Sequence, residues 1–129
     1  MREEKRKIIL FLLILIFDRI LKQYYKTKNS FNLNIGVSFG LFSNKNQNYF
    51  YLVSLIILLF LVVLAYKNRK KSEYFLLIFG GASNLCDRIC FGGVIDYIKI
   101  PLFPIFNIAD IMIFIGIIKL LIDLFGKDR

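Results

Sequence analysis

The chain of 129 residues has no histidine and no tryptophan, and only two cysteines. Without histidine, a Ser-His-Asp or Cys-His catalytic machine is impossible, and so is a His-ligated metal site. Cys86 and Cys90 are too few for a disulfide framework. Four apart in an apolar stretch, they read as small packing residues. Charge is scarce too, at 21% of residues. What is abundant is apolar side chains, at 57%, against about 45–50% in soluble domains. A soluble fold this small has too little interior for so many Ile, Leu and Phe residues. A water-soluble globule and a disordered chain are thereby excluded, leaving a membrane protein of one domain.

Four apolar segments are evident, over residues 8–25, 49–66, about 72–91 and about 105–125. The first is 18 residues, or about 27 Å as a helix, close to the hydrocarbon thickness. Its basic start resembles a signal peptide, but the small-residue cleavage site is missing, so it is expected to remain as a helix. The second has no charge and a single polar residue, Ser54. Pro104 just precedes the fourth, a good position for a helix start. Tyr49, Tyr51, Tyr66 and Tyr74 read as interface anchors. The fold class expected is therefore an all-α integral membrane protein with four transmembrane helices.

One stretch differs. Over residues 31–41 the odd positions are Phe31, Leu33, Ile35, Val37, Phe39 and Leu41, and the even ones are small or polar. Period two is the signature of a strand with one apolar face. A lone strand needs partners for its backbone, and the β-branched run at 94–100 is a candidate.

Lysine and arginine set the orientation. Ten of the 18 lie at the N-terminus, in the loop after the second segment and at the C-terminus, and four lie in the other loops. The positive-inside rule then places both termini in the cytoplasm. The net charge of +9 is thus explained by topology and requires no nucleic acid.

Ionisable residues within spans are costly and suggest function by default. Asn84, Asp87 and Arg88 share a helix face, as do Asn107 and Asp110. Asp110 lies six residues past Pro104, about 9 Å into the expected helix. Asp96 follows the third segment, so Asp96 and Asp110 can reach one depth near the outer leaflet. Two aspartates held together cannot both ionise cheaply. The charged one can take a proton from water while the neutral one polarises a carbonyl, with no metal and no cofactor. Asp18 with Lys22 reads as a buried positioning pair, Asp87 with Arg88 as architecture, and Lys119 with Asp123 as a snorkelling pair.

Five motifs, in order along nearly the whole chain, resemble those of the lipoprotein signal peptidase (signal peptidase II) family. Asp18-Arg19-Ile20-Leu21-Lys22 is similar to its Asp-x-x-x-Lys. The run Asn34-Ile35-Gly36-Val37-Ser38-Phe39-Gly40 is similar to Asn-x-Gly-Ala-Ala-Phe-Gly, and Asn84-Leu85-Cys86-Asp87-Arg88 to Asn-x-x-Asp-Arg. Gly92-Gly93-Val94-Ile95-Asp96-Tyr97 is similar to Gly-x-Val-x-Asp-Phe, and the run from Phe103 to Asp110 to Phe-Pro-x-Phe-Asn-x-Ala-Asp. The resemblance implies a catalytic dyad of Asp96 and Asp110. It implies that Asn34, Asn84, Arg88 and Asn107 line the substrate site, supported by Asp18, Lys22 and Asp87. It also implies a small extracytoplasmic β-cradle, expected within residues 27–48. The implied substrates are lipid-modified prolipoproteins, cut just before the lipidated cysteine by a bacterial cell-membrane enzyme with its site near the outer leaflet. Its expected partners are those signal peptides and membrane lipids, and its expected form is a monomer. Ser83 stands where the family usually has Gly, Val37-Ser38 replaces Ala-Ala, and Tyr97 replaces Phe. Only 13 residues separate Asp96 from Asp110.

Two rivals remain open at this point. One is a proton-coupled carrier using the same aspartates, which would want them near the midplane and accessible from both sides. The other is an inactive relative that only binds lipidated signal peptides.

Overall fold

A computed structural model describes residues 2–36, 47–67 and 73–126, without the side chains of 47, 48, 50 and 124. The first helix, α1 (Arg2–Thr27), contains no glycine or proline to interrupt it, and Glu3 and Glu4 favour its positive N-terminal end. It stops at Asn29, whose φ of 49° is left-handed, and Ser30 N–H donates back to the Tyr25 carbonyl at 3.0 Å. The chain then enters β1 (Asn32–Asn34). Helix α2 (Gln47–Lys67) is followed by α3 (Glu73–Phe91). Gly92, at φ 75°, makes the left-handed turn that ends α3 and starts β2 (Val94–Asp96). The last helix is α4 (Ile108–Phe125).

The two strands pair antiparallel, Asn32 opposite Asp96, Leu33 opposite Ile95 and Asn34 opposite Val94. The 94–100 run thus supplies the partner strand. Within the period-two stretch, Leu33 and Ile35 are exposed while Gly36 is buried. Residues 37–41 of that stretch, including Val37 and Ser38, lie outside the described residues, as do Lys45, Arg69, Lys70, Lys71, Lys127 and Arg129 of the topology count.

Helix α4 begins at Ile108, later than the expected 105. The reason lies in the preceding backbone, where Ile98 and Phe106 form a bridge with bonds of 2.8 and 3.1 Å. Asn107, at φ −133° and ψ 176°, is the N-cap, and Asp110 completes a capping box. Asp110 therefore sits in the first turn, not two turns deep.

Helices α3 and α4 approach closely. A Cβ on Gly80 would lie 2.6 Å from the Ala109 carbonyl, and one on Gly116 would lie 2.9 Å from Leu77. Small residues at both contact points permit this. The apolar core is thin, built on Phe11, Leu76 and Met112. The most deeply buried side chains include Lys22, Asp18, Asp87, Asp96 and Asn107. Large apolar side chains instead face outward along α1 (Ile9, Leu13, Phe17), α2 (Leu52, Phe60, Val63) and α4 (Phe114, Ile118, Ile122). This inverts the arrangement of a soluble protein.

Among the described residues no helix is long and apolar enough to cross a membrane. Helices α1, α3 and α4 each carry three or more charged residues, and the side chains of α2 are described without a break only over 51–67. Two minor expectations are corrected. Tyr74 is buried within the helix packing, unlike exposed Tyr49 and Tyr66. Cys86 and Cys90 are exposed, because α3 turns its Ser83, Asn84 and Asp87 face inward.

Candidate active site

Two elements bring the two carboxylates onto one residue, Asn107. Asp96 ends β2, and Asp110 lies in the first turn of α4. Asn107 Nδ2 donates to Asp96 Oδ1 at 2.7 Å, while the Asn107 backbone N–H donates to Asp110 Oδ2 at 3.0 Å. The Asn107 Oδ1 accepts from the Asp110 N–H at 2.9 Å, which fixes the rotation of the amide. Asn84 Nδ2 on α3 donates to Asp110 Oδ1 at 2.7 Å. Asn34 Nδ2 on β1 donates diagonally across the strand pair to Asp96 Oδ2 at 3.2 Å. Each of the four carboxylate oxygens thus accepts from an amide. Asn34 is itself held by an Asx turn, its Oδ1 accepting from Gly36 N–H at 3.1 Å.

Burial, and then the charge of Asp110, push the Asp96 carboxyl up to about 7, against the pull of the Asn34 and Asn107 hydrogen bonds. Burial also raises the Tyr97 phenol, which remains a donor. Beside Asn34, a cleft of about 290 Å³ is lined by residues 32–36 with Pro104 and Ile105.

A second polar layer lies beneath. Lys22 is wholly buried and pairs with Asp18 at 3.2 Å and with Asp87 at 2.7 Å. Its Nζ also donates to Asn84 Oδ1 at 3.1 Å, which leaves the Asn84 amide facing Asp110. Asp87 Oδ2 accepts from the Ile95 backbone N–H at 3.2 Å, tying α3 to β2. Arg88 is not the partner of Asp87. Adjacent helix residues do not face each other, and the Asp87 oxygens are taken by Arg19 at 2.6 Å and by Lys22. Arg88 reaches the Gly36 carbonyl instead, at 3.4 Å. Among the described residues, no buried side-chain polar atom lacks a hydrogen-bond partner.

Comparison with known proteins then decides the family. A family model described as signal peptidase (SPase) II matches residues 10–126. The chain belongs to the signal peptidase II family. It is accordingly an aspartic endopeptidase of the signal peptidase II type, a bacterial membrane enzyme. The lipoprotein signal peptidase of Wigglesworthia glossinidia brevipalpis is 39% identical over 118 residues, covering 82% of this chain and 75% of that one. The lipoprotein signal peptidase of Moorella thermoacetica is 30% identical over 132 residues, covering 88% of each. A solved structure of a bacterial membrane enzyme superposes with a TM-score of 0.82 at 28% identity, covering 97% of this chain and 90% of that one.

Within this signal peptidase II chain, three polar residues are placed in the second layer that the motifs did not single out. Arg19 donates to Asp87 and to the Ser83 carbonyl, the latter at 3.1 Å. Ser83 Oγ donates to Asp18 Oδ2 at 2.8 Å and accepts from Lys22 at 3.1 Å. Tyr97 Oη donates to Asp18 Oδ1 at 2.9 Å. The i, i+4 spacing of Ser83 and Asp87 carried a signal. Arg19 carries only the general signal of a charge within an apolar segment, since its partner lies 68 residues away.

Proposed function

We propose that the chain removes the signal peptide from bacterial prolipoproteins whose lipobox cysteine already carries diacylglycerol, cutting just before that cysteine. Asp96 and Asp110 are the dyad in this reading. Asp96 holds the shared proton and gives it to the scissile carbonyl oxygen. Asp110 takes a proton from the attacking water. The tetrahedral intermediate collapses as a proton passes to the leaving amine. Asn34, Asn84 and Asn107 orient the two carboxylates, Arg88 with Asn34 borders the substrate, and Asp18, Lys22 and Asp87 support the layer above. The single observation that carries this reading is Asn107, which donates to both carboxylates at once.

The enzyme works as a monomer spanning the membrane four times, with both termini in the cytoplasm. The inverted burial supports that reading, with charge inside and apolar residues outside. The cleft beside Asn34 then opens near the outer leaflet, where a lipidated substrate presents its cleavage site.

The test is cleavage of a diacylglyceryl-modified prolipoprotein by purified protein. Asp96→Asn and Asp110→Asn should each lower turnover by about 10³-fold or more, and the double variant should be barely worse, because groups acting in concert fail together. Asp123→Asn, on the exposed face of α4, should cleave normally. Substantial cleavage by either single variant, or inhibition by chelators, would overturn the mechanism.

A further inference from the structure

Between the two aspartates the chain forms a short hairpin whose tip, apart from Pro104 at the edge of the cleft, has no part in the machinery above. Its stem is rigid. Ile98 and Phe106 bridge through two backbone bonds, and the Tyr97 N–H donates to the Phe106 carbonyl at 3.1 Å. Its tip, residues 100–104, reads Ile-Pro-Leu-Phe-Pro. The Phe103 N–H closes the turn on the Ile100 carbonyl at 3.1 Å. Leu102 at the apex is completely exposed, at 105%, and Phe103 is 69% exposed. Leu102 also sits at φ 68°, a left-handed conformation that a turn in water would ordinarily give to glycine or asparagine.

Apolar exposure of this kind on a strained, braced tip requires a covering medium. We propose that the 100–104 tip is a lipid anchor that inserts into the interface of the outer leaflet. Three features favour a bilayer over a protein groove. The two prolines have no N–H, and that of Phe103 is already bonded, so three of the five tip residues bring no free N–H into the interface. Lys99 is exposed at the root of the tip, where a cation meets lipid phosphates. The stem runs through Asn107 directly into α4, whose own large apolar side chains (Phe114, Ile118, Ile122) are exposed as the tip's are. Anchoring there fixes the height of Asn107, and with it of both carboxylates, relative to the lipid surface. That consequence rests on the proposed function; the insertion does not.

The absence of tryptophan makes the test clean. Leu102→Trp or Phe103→Trp each introduces a single emitter into the full-length protein. Each is reconstituted into phosphatidylcholine–phosphatidylglycerol vesicles, and no turnover is needed. Insertion predicts blue-shifted emission, shielding from aqueous iodide, and quenching several-fold stronger by lipids brominated near the glycerol than by lipids brominated at the chain end. Red-shifted emission open to iodide in both variants would overturn it. So would emission that shifts only when lipidated prolipoprotein is added, since the tip would then be a substrate lid. A cleavage defect with the insertion signature intact would count against the catalytic reading alone.

Discussion

Asn107 combines roles that pull on one another. Its carbonyl oxygen caps α4, its amide holds Asp96, and its backbone N–H holds Asp110. A residue that only capped a helix could be Ser or Asp, but neither could also donate an amide to a carboxylate. Burial and the nearby charge of Asp110 keep a proton on Asp96 against the pull of that amide, and this sets a pH dependence. Above about pH 7 the pair loses its last proton and with it the acid. Cleavage measured as kcat/KM should therefore fall about tenfold per pH unit on the alkaline side. For stability the sign follows from the same shift. Asp96 is raised on folding, so its contribution is full below its unfolded value near pH 4 and is lost as pH rises to about 7. The ion pairs below make a separate prediction. Lys22→Met leaves two buried aspartates short of their cation, and breaking such a pair costs about 3–5 kcal/mol. Denaturant unfolding in detergent should show that loss, whereas Arg88→Ala, which leaves Asp87 paired, should cost much less. Equal losses in the two variants would refute this assignment of partners.

Elements were legible in the sequence to the extent that their signal was local. The spacing of Asn84 and Asp87 on α3 follows from the helical repeat alone, and so does that of Asn107 and Asp110. The β1 stretch announced itself by its alternation, and its partner by β-branched residues. Pro104 is a strong local cue for a helix start at 105, whereas the Ile98–Phe106 bridge that holds the backbone extended joins residues from two arms of a hairpin. Partners across helices were illegible for the same reason. The Arg19–Asp87 and Tyr97–Asp18 bonds depend on how α1 meets α3 and the segment after β2, which no periodicity encodes. The contact of α3 with α4 can be tested directly. Gly80→Ala drives a methyl into the Ala109 carbonyl, and overpacking typically costs about 1–3 kcal/mol. It should also shift the first turn of α4, so melting temperature and turnover should fall together. Gly126→Ala, with open space around it, should change neither.

At the scale of the whole molecule, one cluster of charged side chains (Asp18, Lys22, Asp87 and Asp96) is buried while large apolar side chains are turned out. That arrangement is expected where the surroundings are lipid, and the lysine and arginine bias is the ground for the orientation proposed above. Single cysteines at Lys28 and Lys67, both exposed, test the orientation in a background lacking Cys86 and Cys90. A membrane-impermeant thiol reagent applied to intact cells should label position 28 only. Labelling of both, or of 67 alone, would reject cytoplasmic termini.

The buried ion cluster has a consequence for biosynthesis. Asp18, Arg19 and Lys22 all lie on α1, so that helix emerges from the ribosome with one formal positive charge in excess over this stretch. The balancing carboxylate, Asp87, belongs to α3 and is made more than 60 residues later. Until then Arg19 lacks Asp87 and Lys22 lacks one of its two carboxylates, and α1 is a poor guest in hydrocarbon. The nascent first helix should therefore linger at the insertion machinery or at the headgroup level and settle only when α3 arrives. Chains truncated before Asp87 should remain crosslinkable to the translocation channel, and chains extended beyond Phe91 should be released.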